Sequence, residues 1–130
     1  MKVLCMGVDL PSIDVTQCAF RQRWPVATFL STDGAAESIA SVASGSVDVV
    51  VVFARNLTLS VPAFCSQLRD VSDVPLVVVR DDGGELGAVT ALQAGADDHC
   101  RPSEDVVEAV ARVGALVRRV EEYRSHLAFS

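Results

Sequence analysis

Asp48-Val49-Val50-Val51-Val52-Phe53 is the stretch of this 130-residue sequence that says most about its fold. A continuous run of β-branched residues, without alternating polar residues, is typical of a strand that is covered on both faces. Leu76-Val77-Val78-Val79 repeats the pattern further along the chain. Strands of this kind belong to parallel sheets with helices on either side, so the two runs predict an α/β fold.

Outside these two runs, apolar stretches alternate with stretches of helical period. The predicted strands are Lys2–Val8, Pro25–Leu30, Asp48–Phe53, Leu76–Val79 and a fifth that follows Asp97 and Asp98. The predicted helices are Ile13–Arg23, Gly34–Ala43, a short one opened by Pro62, Glu85–Ala94, and a last one with Ser103 as its N-cap. This alternation predicts a single domain with a doubly wound, five-stranded parallel sheet and five helices.

Functional positions of a doubly wound fold lie beyond the carboxyl ends of its strands. In this sequence they are residues 7–9, 53–56, 80–82 and 100–102. Candidate functional residues are therefore sought in these four short segments.

Composition excludes several functional classes. Half of the residues are hydrophobic and 22% are charged, as in a globular domain. The net charge of −6 and the pI of about 4.7 argue against a nucleic-acid-binding surface, which needs clustered Lys and Arg. No apolar run approaches the roughly 20 residues of a membrane span, and the amino terminus is too short for a signal peptide. We expect a cytoplasmic protein.

The cysteine pattern does not predict a metal site. No two of the four cysteines have C-x-x-C spacing, and the two histidines are far apart in the sequence: the cysteines are Cys5, Cys18, Cys65 and Cys100. We expect buried free thiols in a reducing compartment, with no cofactor and no metal. No G-x-G-x-x-G motif, P-loop or nucleophile elbow is present, so nothing indicates an enzyme.

Three stretches of the chain resemble response-regulator receiver domains of the CheY-like type. They are Val74-Pro75-Leu76-Val77-Val78-Val79, Ala91-Leu92-Gln93-Ala94-Gly95-Ala96-Asp97-Asp98, and Arg101-Pro102 before the last helix. Receivers have a Val-Pro-hydrophobic strand, an Ala-Gly-Ala-Asp-Asp turn and a Lys-Pro pair in these places. The resemblance covers residues 2–120 and implies a flavodoxin-like fold and a role in signal transduction.

The resemblance also implies where a phosphorylation site would lie. Typical receivers carry an acceptor aspartate at the end of the third strand and two acidic residues after the first strand that hold Mg²⁺. A hydroxyl residue and a lysine end strands four and five. The matching positions here are Gly7 and Val8 for the acidic pair, Phe53 for the acceptor, Arg80 for the hydroxyl and Arg101 for the lysine.

The departure at the acceptor does not depend on the alignment. No Asp or Glu lies between Asp48 and Asp70, so a shift of register does not supply one. Phe53 has no nucleophilic oxygen, and Asp9 alone makes a poor Mg²⁺ site. We therefore expect a degenerate, atypical receiver that does not accept a phosphoryl group from a histidine kinase.

The charges around Arg80 and Arg101 leave three interpretations open. The inferred fold places these arginines near Asp9, Asp81 and Asp82. In the first interpretation, the charges form an ion-pair cluster that takes the place of phosphoaspartate, Mg²⁺ and lysine. In the second, the arginines bind an anion or a small ligand. In the third interpretation they are solvated loop charges, worth ~0–1 kcal/mol per pair.

The resemblance further implies a homodimer. In winged-helix (OmpR-type) response regulators, the face made by helix 4, strand 5 and helix 5 pairs two receivers through acid-to-arginine bridges. Here Asp97 or Asp98 would meet Arg118 or Arg119 of a second copy, with Arg112 on the same helix. A two-fold interface pairs complementary patches in this way. The alternative is ordinary surface charge with helix-dipole complementarity.

Residues 121–130 continue polar beyond the last helix and resemble the start of a linker. We expect a receiver-like domain over residues 1–120, with a tail that leads toward a DNA-binding domain in the full-length protein. The sequence thus predicts a regulatory module that controls transcription through dimerisation, without aspartyl phosphorylation. The alternative is a small-ligand-sensing domain whose pocket replaces the phosphorylation site.

Overall fold

The computed structural model of the protein describes residues 1–7, 10–54, 57–79, 84–100 and 106–128. Five strands alternate with five helices in this part of the chain. The strands are β1 (Lys2–Met6), β2 (Thr28–Ser31), β3 (Val49–Phe53), β4 (Leu76–Val79) and β5 (Asp98–Cys100). The helices are α1 (Leu10–Arg23), α2 (Ala35–Ala43), α3 (Val61–Arg69), α4 (Gly84–Gln93) and α5 (Val106–Ala128).

All five strands pair in parallel, in the order β2-β1-β3-β4-β5. This arrangement confirms the predicted flavodoxin-like α/β fold. We call the side of the sheet where the strands end the carboxyl edge (Met6, Ser31, Phe53, Val79 and Cys100) and the opposite side the amino edge. The strand order reverses between β1 and β3, and ligands of open α/β sheets bind at such a point on the carboxyl edge.

The valine run of β3 contributes to both faces of the sheet, because successive side chains of a strand point in opposite directions. Val50 and Val52 pack in one core with α2, α3 and α4, which contribute Val42, Phe64, Cys65, Leu68 and Ala91. Val49 and Val51 pack in a second core with α1 and α5, which contribute Phe20, Val110, Val113 and Leu116. Because both faces of β3 are buried, polar residues do not alternate with apolar ones along this strand.

Three element boundaries differ from the predicted ones by three residues or more. Helix α1 begins at Leu10 rather than Ile13, with Pro11 in its first turn, where a missing N–H does no harm. Strand β2 begins at Thr28, because Pro25 and Val26 form a turn. Helix α5 does not end near residue 120 but continues to Ala128, so the polar tail is helical over most of its length. The predicted N-cap Ser103 lies outside the described residues.

The cysteines follow the prediction with one exception. Cys5, Cys65 and Cys100 are buried free thiols, whereas Cys18 is exposed on α1, so the prediction was wrong for that residue. Burial raises the pKa of the Cys5 thiol from 9.0 to about 12. Within the described ranges, no helix is both long enough and apolar enough to span a membrane.

Candidate functional site

The candidate site lies where β1 and β3 end side by side on the carboxyl edge. Cys5 pairs with Val51 and Met6 with Val52, so the two strands finish at the same level. Phe53, the last residue of β3, pairs with Val79, and Val79 pairs with Cys100. The structure therefore brings Gly7 and Phe53 together, as the sequence predicts.

Gly7 occupies a place that has no room for a side chain. Its φ is +79°, in the left-handed region that favours glycine. A Cβ built at Gly7 would overlap the carbonyl oxygen of Phe53 and lie 3.1 Å from Cγ of Leu57. We call the group of Gly7, Phe53, Leu57 and Asp33 the β1–β3 junction.

Asp33 belongs to this junction, although sequence reasoning did not select it. The residue follows β2, and its Oδ1 accepts a hydrogen bond of 2.9 Å from the Gly7 N–H. The preceding residue, Thr32, donates its N–H to the carbonyl of Cys5 at 3.2 Å. The Thr-Asp-Gly sequence after β2 was the available signal, since such residues are typical of turns whose side chains bond to nearby main chain.

Phe53 gives the centre of the site an apolar character. Its half-buried side chain packs against the core formed with α1 and α5. The nearest acidic residues in sequence are directed elsewhere: Asp48 precedes β3 and accepts a 2.7 Å hydrogen bond from the Lys2 N–H, and Asp70 follows the end of α3. Neither carboxylate lies at the carboxyl edge, where a phosphoryl acceptor would be needed.

Several predicted site residues lie outside the described part of the chain: Val8, Asp9, Arg80, Asp81, Asp82 and Arg101. The three interpretations of the charges around Arg80 and Arg101 therefore stay predictions, as does the alternative of a ligand pocket. Among the residues that the structure does describe, no group of three or more His, Cys, Asp or Glu side chains is placed to hold a metal ion.

The neighbouring residues Asp97 and Asp98 make their contacts in two different parts of the molecule. Asp97 turns to the amino edge, where its Oδ2 accepts from the Arg69 guanidinium at 2.7 Å and from the Leu76 N–H at 2.8 Å. Arg69 also donates to the carbonyls of Gly95 and Val74, at 2.7 and 2.6 Å. Asp97 is thus engaged within its own chain, and Arg69 is a structural residue that sequence reasoning missed.

Asp98 lies on the side of the sheet that faces α5. Its carboxylate accepts from Arg112 of the same chain at 3.1 and 3.2 Å. Both residues line a surface depression together with Arg119, while Ala111, Ala115 and Leu116 supply its apolar part. Arg118 is exposed and is not among the residues that line it. Of the predicted interface residues, the structure therefore brings together Asp98, Arg112 and Arg119.

Helix α4 adds an apolar part to the same region. It packs against β5, and its residues Val89 and Leu92 expose 47% and 44% of their surface. We refer to Val89, Leu92, Asp98, Arg112 and Arg119 as the α4–β5–α5 face. It combines exposed apolar residues with charges of both signs.

Comparison by sequence relates the chain to bacterial signalling proteins. No model of a known protein family matches it. It is 33% identical over 88 residues to the sensory transduction protein RegX3 of Mycobacterium tuberculosis, a match that covers 68% of this chain and 38% of RegX3. It is 29% identical over 87 residues to the uncharacterized transcriptional regulatory protein YcbL of Bacillus subtilis, covering 67% and 38%. The chain thus spans less than half the length of these curated relatives.

Comparison by structure shows the same fold in solved proteins. A two-component response regulator from Clostridium difficile superposes with a TM-score of 0.78 at 18% identity, covering 92% of this chain and 98% of the other. The receiver domain of the TMAO respiratory response regulator TorR superposes with a TM-score of 0.78 at 21% identity, covering 91% and 97%. HP1043, an orphan response regulator of H. pylori, gives 0.74 at 20% identity, covering 90% and 96%.

Proposed function

We propose that this chain, which is a response-regulator receiver domain, is the regulatory module of a transcriptional regulator. We further propose that the module acts without aspartyl phosphorylation. The observation that carries the proposal is Phe53 at the end of β3, where the resemblance to receivers implies a phosphoryl acceptor. Phosphoryl transfer needs an attacking oxygen and positive charge to neutralise the transferred group. Phe53 supplies no oxygen, and no carboxylate occurs between Asp48 and Asp70.

The test is direct phosphorylation of the purified protein. The chain is incubated with acetyl phosphate and Mg²⁺, and its intact mass is followed by mass spectrometry. A receiver domain that has an aspartate at the end of its third strand is treated in parallel as the positive control. We expect the control to gain one acid-labile phosphoryl group and this chain to gain none. A stable, acid-labile phosphoryl group on this chain would disprove the proposal.

For the output of the module, we propose a homodimer formed through the α4–β5–α5 face. Two features support this choice: the face exposes Val89 and Leu92, and it places Asp98 beside the depression that Arg119 lines. Apolar patches with a charged rim are typical of protein interfaces, and a two-fold axis would set Arg119 of one copy against Asp98 of the other. The Arg112 guanidinium and the His99 N–H use three of the four lone pairs of the Asp98 carboxylate, which leaves one, on Oδ2, for such a bridge.

Neighbouring arginines on α5 provide a matched pair of variants for the dimer. Arg119→Glu and Arg118→Glu make the same change of charge, but only Arg119 lines the depression. Light scattering across a concentration series is expected to show a dimer for the wild type and for Arg118→Glu, and a monomer for Arg119→Glu. A wild-type monomer at every concentration, or equal behaviour of the two variants, would contradict this interface.

The relatives also suggest a DNA-binding partner domain. The curated relatives are more than twice as long as the matched region, and the name of one of them describes a transcriptional regulatory protein. We propose that a DNA-binding domain is joined to this module in the full-length protein. This chain alone, with its net charge of −6, is expected to give no shift with promoter DNA in an electrophoretic assay, whereas the full-length protein shifts it.

A further inference from the structure

We propose that the chain has a second interaction surface, beside the outer strand β2, and that this surface binds an acidic segment of a partner protein. Its residues are Arg21, Arg23, Trp24, Val26 and Phe29, which we call the α1–β2 patch. Strands β2 and β5 are the two outermost strands of the sheet, so the patch lies on the opposite side of the molecule from the α4–β5–α5 face. The inference goes beyond the proposed function and depends neither on phosphorylation nor on the homodimer.

A row of aromatic rings underlies the α1–β2 patch. The buried Phe20 ring lies 5.9 Å from the Trp24 ring and 5.8 Å from the Phe29 ring, measured between centroids. Phe20 thus supports two rings that are themselves half-buried. Val26, in the turn before β2, exposes 84% of its surface. The patch therefore presents apolar and aromatic surface on a packed base, as protein interfaces do.

Two exposed guanidinium groups lie over these rings. Cζ of Arg21 is 5.1 Å from the centroid of the Phe29 ring, and Cζ of Arg23 is 5.5 Å from that of the Trp24 ring, as in cation–π contacts. Neither arginine makes a hydrogen bond or an ion pair in the part of the chain that the structure describes. Stacking orients a guanidinium group without using its N–H donors, so both groups can bind carboxylates through paired hydrogen bonds.

Helix α5 has a glycine where Arg23 lies against it. A Cβ built at Gly114 would lie 2.5 Å from Nε and 2.7 Å from Cζ of Arg23. Glycine inside a helix is unfavourable relative to alanine, and space for the guanidinium group is a physical reason for Gly114 at this position. Arg23 is thus placed between the Trp24 ring and α5 before any partner binds, which lowers the entropy cost of binding.

The charge of the α1–β2 patch indicates the chemistry of its partner. The chain has a net charge of −6, yet the patch contains two arginines and no acidic residue. Carboxylates supply the complementary charge, and apolar side chains beside them would cover Val26 and Trp24. A nucleic acid fits less well, because the net negative charge of the chain repels a dense row of phosphates and two arginines neutralise few of them. An acidic protein segment that also contains apolar residues is the partner that fits.

The first test uses a synthetic peptide of repeated Glu-Leu-Glu units with capped ends, and the same peptide with Gln in place of Glu as its control. Trp24 is the only tryptophan of the chain, so its fluorescence reports on the patch. We expect a saturable change with the Glu peptide and binding about tenfold weaker or more with the Gln peptide. No saturable change with the Glu peptide, equal binding of both peptides, or saturation only by duplex DNA or by phosphatidylserine vesicles would overturn the inference.

The second test removes one arginine at a time. Arg21→Gln and Arg23→Gln should each weaken binding of the Glu peptide about fivefold or more. Gln67→Glu is the control, because it changes the net charge by the same amount, and Gln67 is exposed on α3, which packs on the other face of the sheet. Equal losses in all three variants would show an effect of net charge alone and would overturn the assignment to the patch.

Gly114→Ala tests the placement of Arg23 without a change of charge. The overlapping atoms belong to the end of a side chain, so we expect this variant to keep the helix content of the wild type by circular dichroism while the guanidinium group is displaced. Peptide binding should fall as far as in Arg23→Gln, and the Trp24 emission should shift. Binding and emission equal to the wild type would overturn the placement by Gly114. Phosphorylation of the chain or a wild-type monomer, in contrast, would refute the proposed function and leave this inference intact.

Discussion

The two edges of the sheet are built in opposite ways, although each contains a glycine at a tight contact. At the amino edge, Gly95 has a φ of +122° and lies against the side-chain stem of Arg69. At the carboxyl edge, Gly7 lies against the main chain of Phe53. The first contact is made by a side chain, although its guanidinium is anchored to Gly95, Val74 and Asp97, whereas the second is made by main chain and cannot adjust without moving a strand.

This difference between the two edges separates the part of a receiver that holds the strands together from the part where its functional site lies. The amino edge contains the Ala-Gly-Ala-Asp-Asp turn, and here Arg69, Asp97 and Gly95 join α3, β4 and β5. The carboxyl edge has Phe53 and Gly7 at the positions that we propose to match the acceptor and an acidic residue of typical receivers. A fold can thus keep the contacts that hold its strands in order while its site takes on a different chemistry.

The largest effect is expected from Gly7→Ala, which tests whether the contact of Gly7 with the Phe53 main chain is rigid. Gly45→Ala is its control. Gly45 has nearly the same φ, +81° against +79°, but nothing lies within 4 Å of a Cβ at that position. We expect Gly45→Ala to lower the free energy of unfolding by about 1 kcal/mol and Gly7→Ala by about 4 kcal/mol. Urea unfolding measures both values. Equal losses would show that the Phe53 carbonyl yields easily and that the junction is not rigid.

The amino edge is tested by Arg69→Ala. Arg69 donates to Gly95, Ser72, Val74 and Asp97 and is largely covered, with 21% of its side chain exposed. Its removal leaves carbonyl groups and a carboxylate without their donor, so we expect a loss of about 3 kcal/mol in urea unfolding. Arg112→Ala, which removes one surface ion pair, should cost ~0–1 kcal/mol. Similar losses for the two variants would show that Arg69 does not contribute more to stability than a surface ion pair does.

A smaller effect separates the two neighbouring aspartates. Asp97→Asn weakens an acceptor shared by Arg69 and the Leu76 N–H, so we expect a loss of about 2 kcal/mol. Asp98→Asn affects a bridge to Arg112 in which each side chain is about one-third exposed, so we expect at most about 1 kcal/mol. Thermal unfolding of the two variants checks the order. The reverse order would place the structural carboxylate at the α4–β5–α5 face.

The smallest effect is an alkaline titration of Cys5, which tests whether the core beneath the carboxyl edge stays closed to water. The folded-state pKa of about 12 lies above the ordinary value of 9.0. The buried, protonated Cys5 thiol therefore contributes to the free energy of unfolding in full below pH 9, and this contribution is lost between pH 9 and pH 12. Near pH 10 the wild type should have lost about 1.4 kcal/mol relative to Cys5→Ala. Parallel stability curves for the two proteins from pH 8 to pH 11 would mean that the thiol is solvated.

Much of the fold could be predicted because the strongest sequence signals here are local. The valine runs indicated β3 and β4, and the predicted helix Glu85–Ala94 lies within one residue of α4 at each end. The end of α5 was placed too early because Glu121 and Glu122 read as a polar tail. Charged residues do not stop a helix, however, and no glycine or proline follows them in the sequence.

Less of the site could be predicted, because its contacts join residues that are far apart in the chain. The sequence by itself determined that a phenylalanine ends the third strand and that no carboxylate occurs between Asp48 and Asp70, since both are matters of residue identity and order. Only the tertiary structure decided that Asp33 holds Gly7, that the Phe53 carbonyl fills the space beside it, and that Asp97 turns to Arg69. The physical reason is that strand pairing sets these distances, and the pairing partners are separated by whole helices.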